Sequence, residues 1–417
     1  MTATTRIKSI FKNNEKVVEN YFFMTALQVI SSAFGILIYP YLIRVLGSES
    51  YGSYIFAVAI VSYFLGLISF GFHFPALKII SQNADDISIK TKTVSAIFTA
   101  KTLLVCIAAI IFIFLLFTVP YIKMNKLLFI VVFAQVTSDI LYPAWFYQAV
   151  QKMAIVTYIQ LFFRIVSLPF IFIFINTPND IILYAIIATL SIILPALSLF
   201  LYIIYNEKIK IRLLPLNHLK SYFSEAFPFL WSDAAGLIKQ ESVTVIIGAF
   251  FGMREVALYD LANKIIIIPR MLTTSINSAI FPQVINNLKT QTIKRILRYE
   301  WLIGIAIVAL IIVFGYWIIL LLGGTKMSEA YPLAIILSFS IIVWLVVGSY
   351  INYIFVPQNK YYFVTQNQLV ALISFMLVGI PAVLITNNIW AIVGALTLSG
   401  FCEIAYCMFI TRKHNML

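Results

Sequence analysis

The sequence predicts an all-α integral membrane protein of about twelve transmembrane helices, arranged as two six-helix lobes related by a pseudo-two-fold axis along the membrane normal. Three observations lead there. Of 417 residues 62% are hydrophobic and only 11% charged, whereas an ordinary soluble domain carries about 25% charged residues. The apolar residues fall in runs long enough to cross a bilayer, for which a helix needs roughly 20 residues. The basic residues, finally, collect in alternate connections between those runs.

Apolar runs bounded by polar or Gly/Pro breaks place the spans at residues 20–43, 51–78, 93–118, 127–148, 154–176, 180–205, 223–251, 256–284, 300–322, 329–356, 361–386 and 388–411. The first run follows 19 polar and basic residues, is too long for a signal peptide and lacks a small-residue cleavage site, so it is expected to be retained. The polar stretch 206–222 divides the spans into an N-terminal lobe, 1–205, and a C-terminal lobe, 223–417. None of the polar stretches could bury a core of its own. Of the 29 Lys and Arg residues, 19 fall on the side of the N-terminus, in the leader, the connections near 78–92, 152, 208–220, 289–298 and 360, and the tail. The opposite side holds five: Arg44, Lys123, Lys126, Arg254 and Lys326. That asymmetry puts both termini in the cytoplasm.

Several function classes are excluded or disfavoured. The net charge of +13 is explained by these topology signals and does not call for nucleic acid. No G-x-x-x-x-G-K-[ST] loop is present, so nucleotide hydrolysis is not expected. Cys106, Cys402 and Cys407 lie inside apolar runs, where a thiol behaves as a small hydrophobe, and imply neither a disulfide nor a metal site. No cofactor is expected.

The chain also repeats itself. Gly47-x4-Gly52-x-Tyr54-x2-Ala57 follows the first span, and Gly252-x4-Ala257-x-Tyr259-x2-Ala262 follows the seventh, an offset of 205 residues. An offset of six spans preserves orientation, so the halves are expected to be parallel repeats flanking a central cleft.

Ten ionisable residues fall inside the spans: Lys101, Arg164, Lys239, Lys264 and Arg270 against Asp139, Asp233, Glu241, Asp260 and Glu403. A charge at the bilayer centre costs at least ~2.5 kcal/mol and therefore faces a partner or a watery cavity. Asp260 and Lys264 have the (i, i+4) spacing of a structural ion pair. Arg164, Lys239 and Arg270 have no opposite charge three or four residues away and are read as cavity cations, suited with Lys264 and Lys101 to an anionic cargo such as a lipid pyrophosphate. Asp139, Asp233, Glu241 and Glu403 are candidates for ion coupling. Pro269 beside Arg270 is expected to kink the eighth span and free carbonyls next to a buried cation. The aromatic clusters Tyr39/Tyr41/Tyr51/Tyr54, Tyr142/Trp145/Phe146/Tyr147 and Tyr361/Tyr362 are read as interface anchors, and His73 as an interfacial polar residue.

The stretch Asn20…Gln28…Pro40-Tyr41-Leu42-Ile43-Arg44-Val45-Leu46-Gly47-Ser48-Glu49-Ser50-Tyr51-Gly52 resembles the N-terminal signature of bacterial polysaccharide exporters, the Wzx-type O-antigen flippases. So do Trp145-Phe146-Tyr147-Gln148-Ala149 with Lys152-Met153, the segment from Ile247-Gly248-Ala249-Phe250 through Tyr259-Asp260-Leu261-Ala262 to Phe281-Pro282, and the Asn359-Lys360 turn. Ala149 stands where the family often has Gly, and Gln151 where an acidic residue is common, which puts a role for that turn in doubt. The resemblance implies the two-lobed fold of the multidrug and lipid-linked oligosaccharide flippases, with a cationic central cavity. It implies transport of an undecaprenyl-pyrophosphate-linked oligosaccharide, an O-antigen or capsule precursor, to the outer leaflet by an ion gradient, antiporter fashion, rather than by ATP. The pathway's polymerase and chain-length regulator are the partner proteins it suggests. Two other classes share this hydrophobicity: a membrane polymerase or ligase, disfavoured because no external connection is long enough to carry its chemistry, and a multidrug exporter, which fold alone does not exclude.

Overall fold

The structure, a computed structural model, describes residues 15–285 and 290–417, and the side chains within them apart from 15–18, 21, 272 and 274–285. Arg6, Lys8, Lys12 and Lys289, and the side chains of Lys16 and of the Phe281-Pro282 signature, lie outside the described residues. Among the described residues every regular element is helical.

In chain order the α-helices are α1 Glu15–Val45, α2 Gly47–Ser69, α3 His73–Gln82, α4 Ile87–Thr118, α5 Pro120–Met124, α6 Lys126–Phe133, α7 Val136–Leu141, α8 Ala144–Ala149, α9 Met153–Phe174, α10 Ile181–Tyr205, α11 Leu216–Phe250, α12 Met253–Ile285, α13 Thr290–Gly323, α14 Ala330–Tyr350, α15 Tyr361–Thr386 and α16 Ile389–Lys413. Among the described residues ten helical stretches are long and apolar enough to cross a membrane. Two further helices of spanning length, α11 and α12, are not among the ten, and they hold six of the ten intramembrane charges. With them the chain has the twelve long segments expected.

Two predicted spans are interrupted. The one over 51–78 breaks at Phe70 and Gly71, whose φ angles are 47° and 73°, and His73 opens α3 instead of lying within a longer helix. Glycine is required there by contact as well as by φ: a Cβ on Gly71 would sit 2.8 Å from Cβ of Phe229 and 2.9 Å from the amide nitrogen of Leu230. The span over 127–148 is built from α6, α7 and α8. Pro143 N-caps α8 and, lacking an N–H, cannot continue the helix of Val136–Leu141. Elsewhere proline is absorbed, with Pro40, Pro169, Pro195, Pro228 and Pro381 all inside helices.

The chain divides into two compact units, one of residues 1–34 and 61–230 and the other of residues 35–60 and 231–417. The division falls inside three helices, α1, α2 and α11. Within the first unit α9 packs on α10, α10 on α6 and α7, and α3 on α8. Phe112 and Phe133 stack at 4.0 Å with Phe64 edge-on to both. Within the second, α14 is the central helix, packed against α12, α13 and α16. Its apolar core runs through Val308, Ile342, Val346, Phe355, Phe363 and Ile404, and Val346 and Phe355 are fully buried. This packing orders the helices that carry charge.

Aromatic residues depart from expectation. Tyr39, Tyr51, Tyr54, Trp145, Phe146 and Tyr147 are buried in the protein, and the Tyr147 hydroxyl donates to the Leu199 carbonyl at 2.6 Å. Tyr361 and Tyr362 are exposed, as interface anchors would be. Reading clusters near span ends as anchors fails wherever a neighbouring helix covers them.

Candidate functional site

In the first unit Lys101, on the buried face of α4, meets Asp139 of α7. Its Nζ lies 2.8 Å from Asp139 Oδ2 and 2.9 Å from the Asp139 carbonyl. The short helix α7 makes this possible, because its C-terminal end leaves backbone oxygens without intrahelical donors. Arg164, on α9 one turn before Pro169, is different. Its guanidinium lies 5.5 Å over the Phe34 ring and donates a long hydrogen bond, 3.4 Å, to the Ser31 carbonyl. Among the described residues no carboxylate pairs with it.

The second unit holds the remaining candidates. Lys239 of α11 pairs with Glu403 of α16, and the pair is nearly buried, with 17% and 7% of the two side chains exposed. Asn367 of α15 donates to the other Glu403 oxygen at 3.3 Å, and the Cys407 thiol donates to Asn367 Oδ1 at 3.5 Å. Lys239 therefore has a partner, 164 residues away in sequence, although its own helix offers none. Glu241, two residues further along α11, has neither an ion pair nor a hydrogen bond among the described residues. Asp233 lies on the same helix, with an exposed side chain.

Asp260 and Lys264 form the expected i, i+4 pair at 2.5 Å. The pair is the centre of a larger cluster in the second unit. The Tyr51 hydroxyl donates to Asp260 Oδ2 at 2.9 Å, Lys264 Nζ donates to that hydroxyl at 3.2 Å, and the ammonium lies 5.1 Å from the Tyr39 ring centre. This cluster ties the start of α2 and the end of α1 to α12. Gly52 lets the helices meet, since a Cβ there would fall 1.8 Å from the Met253 carbonyl oxygen. Arg270, on α12, stacks its guanidinium 3.8 Å over the Trp344 ring of α14. The helix runs through Pro269, and the Thr273 hydroxyl donates to the carbonyls of Pro269 at 3.0 Å and Arg270 at 2.9 Å.

The candidate residues thus fall in both units. Lys101, Lys239 and Lys264 are neutralised by carboxylates, and Arg164 and Arg270 lie on aromatic faces. Sequence reasoning did not assign Tyr39, Tyr51, Asn367 or Trp344 to the site. Tyr39 and Tyr51 were legible only as an aromatic cluster near span ends, and Asn367 and Trp344 carried no signal.

The fold is that of known membrane transporters. It superposes on a structure described as the lipid II flippase MurJ in an inward closed conformation with a TM-score of 0.71, at 13% identity, covering 93% of this chain and 87% of that one. It also superposes on an inward-facing multidrug resistance MATE family transporter of the MOP superfamily with a TM-score of 0.60, at 11% identity, covering 94% of each chain. The class is therefore a multi-pass helical membrane protein with the fold of those transporters. The chain belongs to the polysaccharide biosynthesis protein family, which it matches over residues 17–288. A curated relative, the "Putative O-antigen transporter" of Escherichia coli strain K12, is 24% identical over 314 residues, 75% of each chain. The resemblance to Wzx-type polysaccharide flippases read from the turns is borne out by these relatives.

Proposed function

We propose that the protein flips undecaprenyl-pyrophosphate-linked oligosaccharide repeat units, precursors of O-antigen or capsule, from the cytoplasmic to the outer leaflet. Family membership and the K12 relative support a lipid-linked glycan as cargo. The observation that carries the reading for this chain is Arg164, a guanidinium on a spanning helix with no carboxylate partner among the described residues and only a 3.4 Å contact to a carbonyl. An arginine so placed is stabilised by an anion that arrives with two or more acceptor oxygens, as a diphosphate does. Arg270, on α12, lays a second guanidinium against the Trp344 ring at 3.8 Å. Lys101, Lys239 and Lys264 serve in this reading first as paired charges that let their helices cross the membrane, and reach the cargo only if a pair opens.

The two six-helix halves rock about the cleft in alternating access, with both termini in the cytoplasm. The gradient enters through a carboxylate. Glu241 is the best placed of the four candidates, because Asp139 and Glu403 are already held by lysines. The flipped unit is then passed to the pathway's polymerase and chain-length regulator.

The test is glycan export in cells carrying Arg164→Gln. Export should fall by about tenfold or more, the scale of one charge-assisted contact, while the amount of membrane-inserted protein stays at the parent level. Normal export in Arg164→Gln and Arg270→Gln alike would remove the cationic-cavity account.

A further inference from the structure

A cavity in the first unit lies away from the intramembrane charges. It has a volume of about 680 Å³, and its polar lining comes from the first turns of α4 and α11: Lys92, His218, Lys220, Ser221, Ser224 and Glu225. That volume falls within the range of small-ligand sites, roughly 300–1,000 Å³. All six side chains are exposed. Among the described residues none of Lys92, His218, Lys220, Ser221 or Ser224 spends its side chain on a hydrogen bond or ion pair within the protein, so the basin faces outward with its donors uncommitted.

Its surroundings add to the same charge. The connection from α10 to α11 is a fixed strap: the Arg212 amide donates to Ser95 Oγ at 3.1 Å, the Leu214 amide donates to Thr99 Oγ1 at 3.2 Å, and Ile209 is fully buried. Lys208, Lys210 and Arg212 therefore stand out from an anchored backbone. Leu213 and Leu216 on the same strap are 71% and 68% exposed. A basic basin beside outward leucines matches an amphiphile with an anionic head and an apolar tail better than it matches a free anion, since the leucines would otherwise face water.

We propose that this basin is a landing site for the diphosphate head of the lipid-linked cargo, used before the cargo reaches the intramembrane arginines. The inference rests on the flippase reading and adds a second, separate phosphoryl site to it. Lys92 and Lys220 hold the diphosphate oxygens, the hydroxyls of Ser221 and Ser224 donate to the same group, and Glu225 offers an acceptor to the first sugar's hydroxyls.

The test uses the purified full chain in nanodiscs of phosphatidylcholine, titrated with farnesyl diphosphate, a short polyprenyl diphosphate, with farnesol and phosphatidylglycerol as comparators. The parent protein should bind the diphosphate saturably and farnesol hardly at all. Lys92→Gln/Lys220→Gln should weaken binding by about tenfold or more, as expected for loss of charge-assisted contacts, with no change in the thermal transition of the protein. Binding unchanged in the double variant but lost in Arg164→Gln would place the diphosphate elsewhere and overturn the proposal. So would equal competition by phosphatidylglycerol, which would make the basin a general anionic-lipid contact. Failure of the flippase reading shows separately, as normal cargo sidedness in a deletion strain despite saturable diphosphate binding at the basin.

Discussion

At the scale of single residues, the buried pair Lys239–Glu403 is the clearest case of charge made tolerable in a membrane. Asn367 satisfies the second carboxylate oxygen, so removal of the lysine leaves an anion with one neutral donor. Lys239→Met should therefore lower the unfolding free energy in detergent by about 3–5 kcal/mol, and the double variant Lys239→Met/Glu403→Met should recover most of it. A thermal or denaturant melt of the three proteins measures this; equal destabilisation in the single and double variants would show that the pair is not the source. Gly52 supplies a second prediction. Because a Cβ there meets the backbone oxygen of Met253, Gly52→Ala forces α2 from α12 and should cost about 1–3 kcal/mol, with the folded fraction after solubilisation as readout. These charges were legible in the sequence as a set, since any ionisable residue in a long apolar run stands out. Their pairing was not, because only Asp260 and Lys264 share a helix turn; Lys101 and Lys239 find partners 38 and 164 residues away.

At the scale of elements, the repeat read from the sequence has a physical counterpart. Gly47 and Gly252 both take a positive φ, 76° and 103°, and Ala57 and Ala262, each ten residues later in the motif, are both fully buried. The motif encodes a helix stop, a tight turn and a small-residue face on the helix that follows. Next to the second copy, Arg254, in the first turn of α12, reaches Glu329, which directly precedes α14, at 3.0 Å. The hydrogen bond from Arg254 holds the Glu329 carboxyl below its ordinary value. A carboxylate with a depressed folded pKa contributes stability above its unfolded pKa, about 4.3, and loses it as pH falls through the folded value. Glu329→Gln should remove that small acid-side slope, worth less than ~1 kcal/mol because both groups are partly exposed; parallel melts between neutral and acidic pH would reveal it as curves that converge as pH falls. The broken helices α2–α3 and α6–α8 were harder to read. A hydropathy run sees through Gly71 and Pro143, whereas the break at Gly71 depends on how closely α11 approaches, a contact that no local pattern contains.

At the scale of the whole molecule, apolar run lengths alone were enough to show twelve segments, since the bilayer sets the length of each. The turn signatures carried the family, because a glycine at positive φ, or one that touches a neighbouring backbone, is costly to replace. The compact units were not legible. They divide α1, α2 and α11 part-way along, and a hydropathy profile carries no mark at residues 34, 60 or 230. The central claim is that the chain moves a lipid-linked glycan across the membrane. It is tested most directly by the sidedness and amount of lipid-linked oligosaccharide in a strain deleted for the gene, compared with the same strain carrying it. The account predicts that repeat units accumulate on the cytoplasmic face and surface glycan is lost, both restored by the gene. Accumulation of single, unpolymerised units on the outer face would mean that translocation is intact without this protein, and would contradict it.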